Sequence, residues 1–346
     1  MATAAKKSKK TQSSGRPSDR LSDEQLLKMY KTMMLSRKLD ERSWVLNRQG
    51  RAPFHISGIG HEAIQVAAAE TLRPGYDWVY PYYRDLAFVL ALGMKPVDHL
   101  LGLLGKAGDP SSGGIQMPSH FSNAKLRIGS ISSPVATQVP IAAGTALACK
   151  LKGTDEVTVV CLGEGSTSEG DFHEGLNWAG VHNLPLVCIV QNNQYAISVP
   201  MEKEMAVKNV ADRAVAYGIT GVVVDGNDIL ACYDVMYDAV ERAKRGDGAT
   251  LVEAKTYRVT PHSSDDDDRT YRSREEVERW KKRDPILLFE KVLFERGILT
   301  TSLQKEIEDW AIAEVDAAEE AAVNAPYPDV EEMHRHLYGP MPSWEV

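Results

Sequence analysis

The sequence predicts an α/β fold: a parallel sheet with helices on both faces, followed by a helical carboxyl-terminal extension. Three observations carry this expectation. Val157 to Leu162 and Leu186 to Val190 are short, continuous apolar runs, the pattern of strands buried on both faces. The segment between them has helical spacing, with Phe172, Leu176 and Ala179 on one face. Further short strand segments, Gly221 to Val224 and Leu251 to Ala254, alternate with helical stretches, as βα units require.

The elements follow in order. Met1 to Arg20 carries Lys6, Lys7, Lys9 and Lys10, no acid before Asp19 and no apolar h-region, so it reads as a disordered basic tail rather than a signal or transit peptide. Ser22 and Gln25 form a capping box for a helix whose Leu26, Tyr30, Met33 and Met34 recur at helical spacing. A loop over Gly50 to Gly60 leads to a helix that Arg73-Pro74-Gly75 stops near Leu72. Trp78 to Pro81 is a strand, and Tyr82 to Asp85 opens a helix. Gly102 to His120 is too rich in Gly, Ser and Pro for a regular element and reads as an ordered functional loop. Pro140 to Lys152 is a helix crowded with Ala142, Ala143, Gly144, Ala146 and Ala148, suited to close packing across a subunit interface. Ser166 and Glu169 offer a capping box to the helix of the central unit. Val210 to Tyr217 is helical, and a helix runs from the turn at Asp225-Gly226-Asn227-Asp228 to Arg245. Tyr257 to Arg274 has no periodicity, and its acid run Asp265 to Asp268 reads as solvated. Helices over 274–282, 285–296 and 302–324 follow, and the Pro-punctuated stretch to Val346, with Trp344, is expected on a partner chain. The division is a tail over 1–20, a main domain over 21–273, and a helical region over 274–346 that packs on that domain and on a partner.

A length of 346 residues and an apolar fraction of 43% allow an ordinary buried core. The net charge of −8 argues against nucleic acid as the main partner, and no apolar run approaches the roughly 18 residues a membrane span needs. The 4 cysteines form no CxxC pair and read as buried thiols in a reducing cytosol.

The chemistry sits at the strand ends. Glu164 follows the first central strand between two glycines, and Asn193 ends the second, 193 − 164 = 29 positions later. In a parallel unit both emerge on one sheet edge, where such sheets bind ligands. A carboxylate and an amide oxygen are hard ligands that suit Mg²⁺, and a backbone carbonyl after Asn193 adds a third. The amides of Gly165 and Ser166, at a helix start, suit diphosphate.

Gly-acid-Gly followed by Asn-Asn resembles the thiamine diphosphate motif. GEGSTSEGD, QNNQYAIS, QMPSHF, SISSPVATQVP and YRVTPHSSDDD together resemble the alpha subunit of the decarboxylating component of branched-chain 2-oxoacid dehydrogenases, across residues 22–330. The resemblance implies a thiamine diphosphate-binding fold and a role for each matching residue. Glu164, Asn193 and the Tyr195 carbonyl hold Mg²⁺; Tyr83, Arg84, Ser133, Val135, Gly165, Ser166 and His262 contact the cofactor; and His262 is the catalytic group. Phe54 and Tyr83 face the substrate, while Ser132, Pro134, Thr137 and Gln138 match a potassium site of some members. Ser263 matches a position phosphorylated in mitochondrial relatives. Gln191 departs from the arginine that some relatives place before Asn-Asn, removing a positive charge. No glutamate matches the one that activates the cofactor ring, which implies a beta subunit in an α₂β₂ heterotetramer and a lipoylated acyltransferase as the next partner. A bacterial-type cytoplasmic location follows from the same reading. A pyruvate or acetoin dehydrogenase alpha subunit is the alternative within enzymes, and a non-catalytic Mg-diphosphate scaffold the alternative outside them.

Overall fold

In the computed structural model, which describes residues 15–332, a five-stranded parallel sheet has the order β1-β2-β3-β7-β6. Its amino-terminal layer is α1 (Asp23–Arg48) and α2 (Glu62–Ala69), then β1 (Trp78–Tyr80), α3 (Leu86–Ala91) and α4 (Pro96–Leu103). The central unit is α5 (Gln138–Lys152), β2 (Thr158–Gly163), α6 (Gly170–Val181) and β3 (Leu186–Asn192). A small antiparallel hairpin, β4 (Tyr195–Ala196) and β5 (Val199–Pro200), leads into the single turn of α7 (Met201–Glu204). β6 (Thr220–Asp225), α8 (Ile229–Lys244) and β7 (Thr250–Lys255) complete the sheet, and α9 (Arg274–Lys281), α10 (Pro285–Glu295) and α11 (Thr301–Asn324) form the extension.

Strand alternation divides the core into two layers. Val187 and Ile189 of β3 pack with α1, α2, α8 and α11, whereas Leu186, Cys188 and Val190 pack with α5 and α6. Every residue of β3 is buried, which explains its apolar run. Helix α1 starts at the Ser22–Gln25 capping box and buries Leu26, Met29, Tyr30 and Met33. It ends before Gly50, whose φ of 71° is a left-handed value that glycine adopts without cost. Helix α11 lies on α1 and α4, tied by Arg42 to Asp316 and Glu319.

Four expectations change. The tail ends before residue 20: Pro17–Arg20 is a 3₁₀ turn whose buried Ser18 donates to Asp234, while residues 1–14 lie outside the described residues. No Ser166–Glu169 capping box starts α6. A separate 3₁₀ turn, Gly165–Ser168, intervenes because the Glu164 carbonyl accepts both the amide and the hydroxyl of Thr167. The acid run is not uniformly solvated: Asp266 accepts from the His262 amide and Tyr271, and buried Asp268 pairs with Arg272. The stretch after Pro326 begins on its own chain, since the Pro326 carbonyl accepts from Ala107 and Lys106 sits 3.8 Å above the Tyr327 ring. The rest of that stretch, with Trp344, lies outside the described residues. The four thiols are free and buried, and among the described residues no helix is long and apolar enough to cross a membrane.

Candidate functional site

The carboxyl ends of β2 and β3 open into a cavity of about 450 Å³. It gathers Phe54, Tyr83, Arg84, Ser133, Val135, Glu164, Gly165, Ser166, Asn193, Tyr195 and His262 from segments far apart in the chain. Tyr82, Ile56, Met117, His120, Ala196, Ile197 and Arg258 also line it. The latter group was not singled out from the sequence, although Met117, His120, Ala196, Ile197 and Arg258 lie inside the matching words QMPSHF, QNNQYAIS and YRVTPHSSDDD.

Glu164 is the buried acid. β2 and β3 pair in register, so Gly163 lies opposite Gln191 and Glu164 sits beside the β3 terminus. One carboxylate oxygen accepts the Asn193 amide at 3.0 Å; the other, Oε1, is buried with no partner. Burial pushes its pKa above the usual carboxylate range. An unpartnered carboxylate oxygen costs about 1–3 kcal/mol or more unless a cation meets it. The Asn193 side chain and the Tyr195 carbonyl lie on the adjoining turn, so the oxygen set fits a divalent cation. The Tyr195 carbonyl already accepts from Arg258 at 3.1 Å and keeps a second lone pair. Glu276 of α9 accepts from both the Tyr195 and Tyr257 hydroxyls, at 3.1 and 2.9 Å, which ties this turn to the extension.

Gly165 allows close approach. A Cβ there would lie 2.5 Å from the Ala196 Cβ, so only glycine lets the turn after β2 pack on the hairpin. The first amides of that 3₁₀ turn belong to Gly165 and Ser166, which cannot be satisfied within the turn. The opposite wall is cationic. Arg84 is buried rather than paired with Asp85 or Asp77: it donates to the Ser57 carbonyl, Asp77 binds Arg73, and Asp85 binds elsewhere. Its Nε is buried without a partner. Arg258 is also buried and donates to Tyr195, Ile197 and Tyr271. Burial, then Arg84, lowers its pKa. Two guanidiniums in one dry wall suit a diphosphate.

His262 stands between them. Its Nδ1 lies 3.5 Å from Arg84 Nη2 and 3.4 Å from Arg258 Nη1, so Nδ1 accepts and Nε2 carries the proton. Burial, reinforced by both arginines, holds its pKa down to about 3. The ring is therefore neutral at neutral pH and donates through Nε2–H. Ser133 Oγ meets His120 Nε2 at 2.8 Å. Ile197 is held at φ 53° by the Arg258 bond to its carbonyl, a strained value for a β-branched residue, with its side chain exposed at the mouth.

The four candidate potassium residues lie outside the cavity lining. Ser132 and Thr137 hydroxyls meet at 2.7 Å, and Thr137 donates to the Pro134 carbonyl at 3.0 Å. Gln138 is anchored on the Cys161 carbonyl, with its Oε1 buried and unpartnered. Gln191 does not enter the cavity; it is buried against Gln65 and Asp85 on the α2 side of the sheet. His55 and His61 are buried and not among the lining residues, and His55 pairs with Asp40.

A parallel sheet with a carboxylate-amide-carbonyl set facing two buried arginines defines a diphosphate-binding α/β protein. The chain belongs to the dehydrogenase E1 component family, whose model matches residues 30–331. That family is thiamine diphosphate-dependent. The chain is 50% identical over 318 residues to the Bacillus subtilis 2-oxoisovalerate dehydrogenase subunit alpha, covering 92% of this chain and 96% of that one. It is 40% identical over 319 residues to the Mycobacterium tuberculosis 3-methyl-2-oxobutanoate dehydrogenase subunit alpha, covering 92% and 84%. The pyruvate dehydrogenase E1 component subunit alpha of Acholeplasma laidlawii is 39% identical over 300 residues, covering 86% and 83%.

Proposed function

We propose that this chain is the alpha subunit of a branched-chain 2-oxoacid dehydrogenase, acting on 3-methyl-2-oxobutanoate and related acids and passing the acyl group to a lipoylated acyltransferase. The observation that supports it best is the convergence of the Glu164–Asn193–Tyr195 oxygen set and the Arg84–Arg258 wall on one cavity. Identity of 50% to a 2-oxoisovalerate subunit, against 39% to a pyruvate subunit, supports the substrate class. Thiamine diphosphate, when bound, supplies the electron sink that decarboxylation needs.

The residues divide the work. Glu164, Asn193 and the Tyr195 carbonyl would hold a Mg²⁺ ion, and Arg84, Arg258 and the Gly165 and Ser166 amides would bind the diphosphate. His262, neutral, donates from Nε2–H toward the cofactor or substrate. Phe54, Ile56, Val135 and Met117 give the cavity an apolar wall that fits a branched acyl chain. The hydroxyls of Ser132 and Thr137 and the Pro134 carbonyl are the oxygens a potassium ion would take. The beta subunit closes the site in an α₂β₂ assembly and supplies the acid that activates the cofactor ring. The four buried free thiols fit a reducing cytoplasm.

The test uses the chain with and without its beta partner. Together they turn over 3-methyl-2-oxobutanoate or 4-methyl-2-oxopentanoate with a higher kcat/KM than pyruvate; alone this chain is inactive. One methylene in an apolar pocket is worth only about 1–3 kcal/mol, so the preference is broad. A pyruvate kcat/KM above both branched substrates overturns the substrate class. Full activity of the isolated chain overturns the shared site, and an inactive assembly that still binds cofactor favours the scaffold.

A further inference from the structure

The two halves of the cavity are joined behind its wall by a closed hydrogen-bond bridge. Gln65 of α2 accepts the Ala87 amide through Oε1 at 3.1 Å, which fixes the orientation of its side-chain amide. Its Nε2 therefore donates twice, to the Arg84 carbonyl at 3.1 Å and to Gln191 Oε1 at 2.9 Å. That fixes Gln191 in turn, whose Nε2 donates to Asp85 Oδ1 at 2.5 Å. The other oxygen of Asp85 accepts the Tyr82 amide at 3.0 Å. All three side chains are at most 2% exposed, and none lines the cavity. Gln191 is two residues before Asn193 on β3, while Tyr82 to Asp85 carries Arg84. The bridge thus spans from the strand that presents the metal-side oxygens to the loop that presents the diphosphate-side cation.

We propose that Gln191, acting with Gln65 and Asp85, is a positioning residue that sets the spacing between Arg84 and the Glu164–Asn193 oxygen pair for a Mg²⁺-diphosphate group. The inference rests on the functional reading above. No member of the bridge lines the cavity; its hydrogen bonds hold the backbone of Tyr82 to Ala87, the segment that carries Arg84, against β3. Strand alternation explains why position 191 can do this, because Val187, Ile189 and Gln191 share the face that α2 covers. The donors and acceptors leave one arrangement, so breaking any link frees both neighbours. The bond pattern also predicts a compensating exchange. Asp85→Asn can still accept from the Tyr82 amide and can donate to a carboxylate at 191, while Gln191→Glu can still accept from Gln65.

The experiment uses the assembled enzyme with its beta chain and measures thiamine diphosphate binding by calorimetry with Mg²⁺ present. Gln191→Met keeps volume and removes both hydrogen bonds. It is expected to weaken the cofactor Kd about tenfold, equivalent to ~1.4 kcal/mol. At saturating cofactor, kcat and the 2-oxoacid KM stay within about twofold of wild type. Gln65→Met added to Gln191→Met costs little more, because both break one bridge. Gln191→Glu alone weakens binding, and the double variant Asp85→Asn/Gln191→Glu restores it to within about threefold of wild type. If wild type binds no thiamine diphosphate, the functional reading and this inference both fail. If wild type binds and Gln191→Met binds equally, the inference alone is overturned, as it is if melting falls while Kd does not move or if the double variant fails to recover.

Discussion

Replacing Glu164 by glutamine separates what the site costs the fold from what it gives the cofactor. Glu164 is 1% exposed, with one oxygen on the Asn193 amide and the other without a partner. Burial pushes its pKa up, so the ionised form is destabilised in the folded chain. Its folded pKa lies above the unfolded value, and the associated stability is therefore present at low pH and lost as pH rises through the folded pKa. Glutamine keeps an acceptor for the Asn193 amide and removes the charge, but leaves an amide group in the same pocket. An unpaired buried carboxylate costs more than an unpaired amide, and the difference gives a net gain of about 1–2 kcal/mol at pH 7.5 for the cofactor-free variant. That corresponds to a rise in Tm on the order of 2–4 °C. Wild type with cofactor and Mg²⁺ at 100-fold over Kd gains about 2.7 kcal/mol, and the variant gains nothing because the metal has lost its anionic ligand. The order of melting therefore inverts between cofactor-free and saturated samples. Scanning fluorimetry of the assembled enzyme, with and without thiamine diphosphate and Mg²⁺, reads both arms. A variant that melts below wild type without cofactor and still shifts with it would refute the assignment of Glu164 as a strained metal ligand.

Two further outcomes follow from the same geometry. His61 and His99 are buried, and burial holds the pKa of each down to about 3, so their contribution to stability is full above the ordinary value of 6.5 and lost as pH falls toward 3. Each adds a slope of up to ~1.4 kcal/mol per pH unit, and a urea midpoint that drops from pH 7 to pH 5 less steeply in His99→Gln than in wild type is the expected result; equal slopes count against it. Gly165→Ala places a Cβ 2.5 Å from Ala196 and 3.2 Å from a Glu204 oxygen, which costs about 1–3 kcal/mol and separates the 3₁₀ turn from the hairpin. Calorimetry is expected to show weaker cofactor binding, and an unchanged Kd contradicts the close-approach role of this glycine.

The parallel sheet was legible because buried strands must be apolar throughout: β2 and β3 appear within two residues of the runs that predicted them. Glu164 and Asn193 were legible as a pair because one βαβ unit sets their separation. The cationic wall was only half legible. Arg84 was singled out at the end of a predicted strand; Arg258, although inside YRVTPHSSDDD, gains its role when the loop after β7 folds over the hairpin, a long-range event with no local periodicity. Its other local signal is a cation four positions before His262 and three after the end of β7. Gln191 misled the reading in a specific way. Its lost charge was assigned to the site, yet its side chain faces α2, and Arg258 supplies a guanidinium from elsewhere. The acid run misled for a related reason. Charge alone predicts solvation, but Asp266 and Asp268 turn inward to Tyr271 and Arg272.

The charges support the proposal that metal and diphosphate enter the site together. On one side an acid is buried with a free oxygen; on the other, two guanidiniums share a dry wall with a histidine they help keep neutral. Each side relieves the other only at a distance: Arg84 and Arg258 pull the Glu164 pKa down against its burial, but neither hydrogen-bonds its free oxygen, and the Nε of each arginine is itself buried without a partner. A cation alone would satisfy Glu164 and add positive charge facing Arg84 and Arg258. An anion alone would satisfy the arginines and face the Glu164 carboxylate. In the proposed function, Mg²⁺ and diphosphate entering as a pair would satisfy both walls, and each would lower the cost of the other. The Arg258 bond to the Tyr195 carbonyl then has a second meaning: it ties the proposed metal-side oxygen and the proposed diphosphate-side cation together, so both ligands would bear on the same turn of backbone.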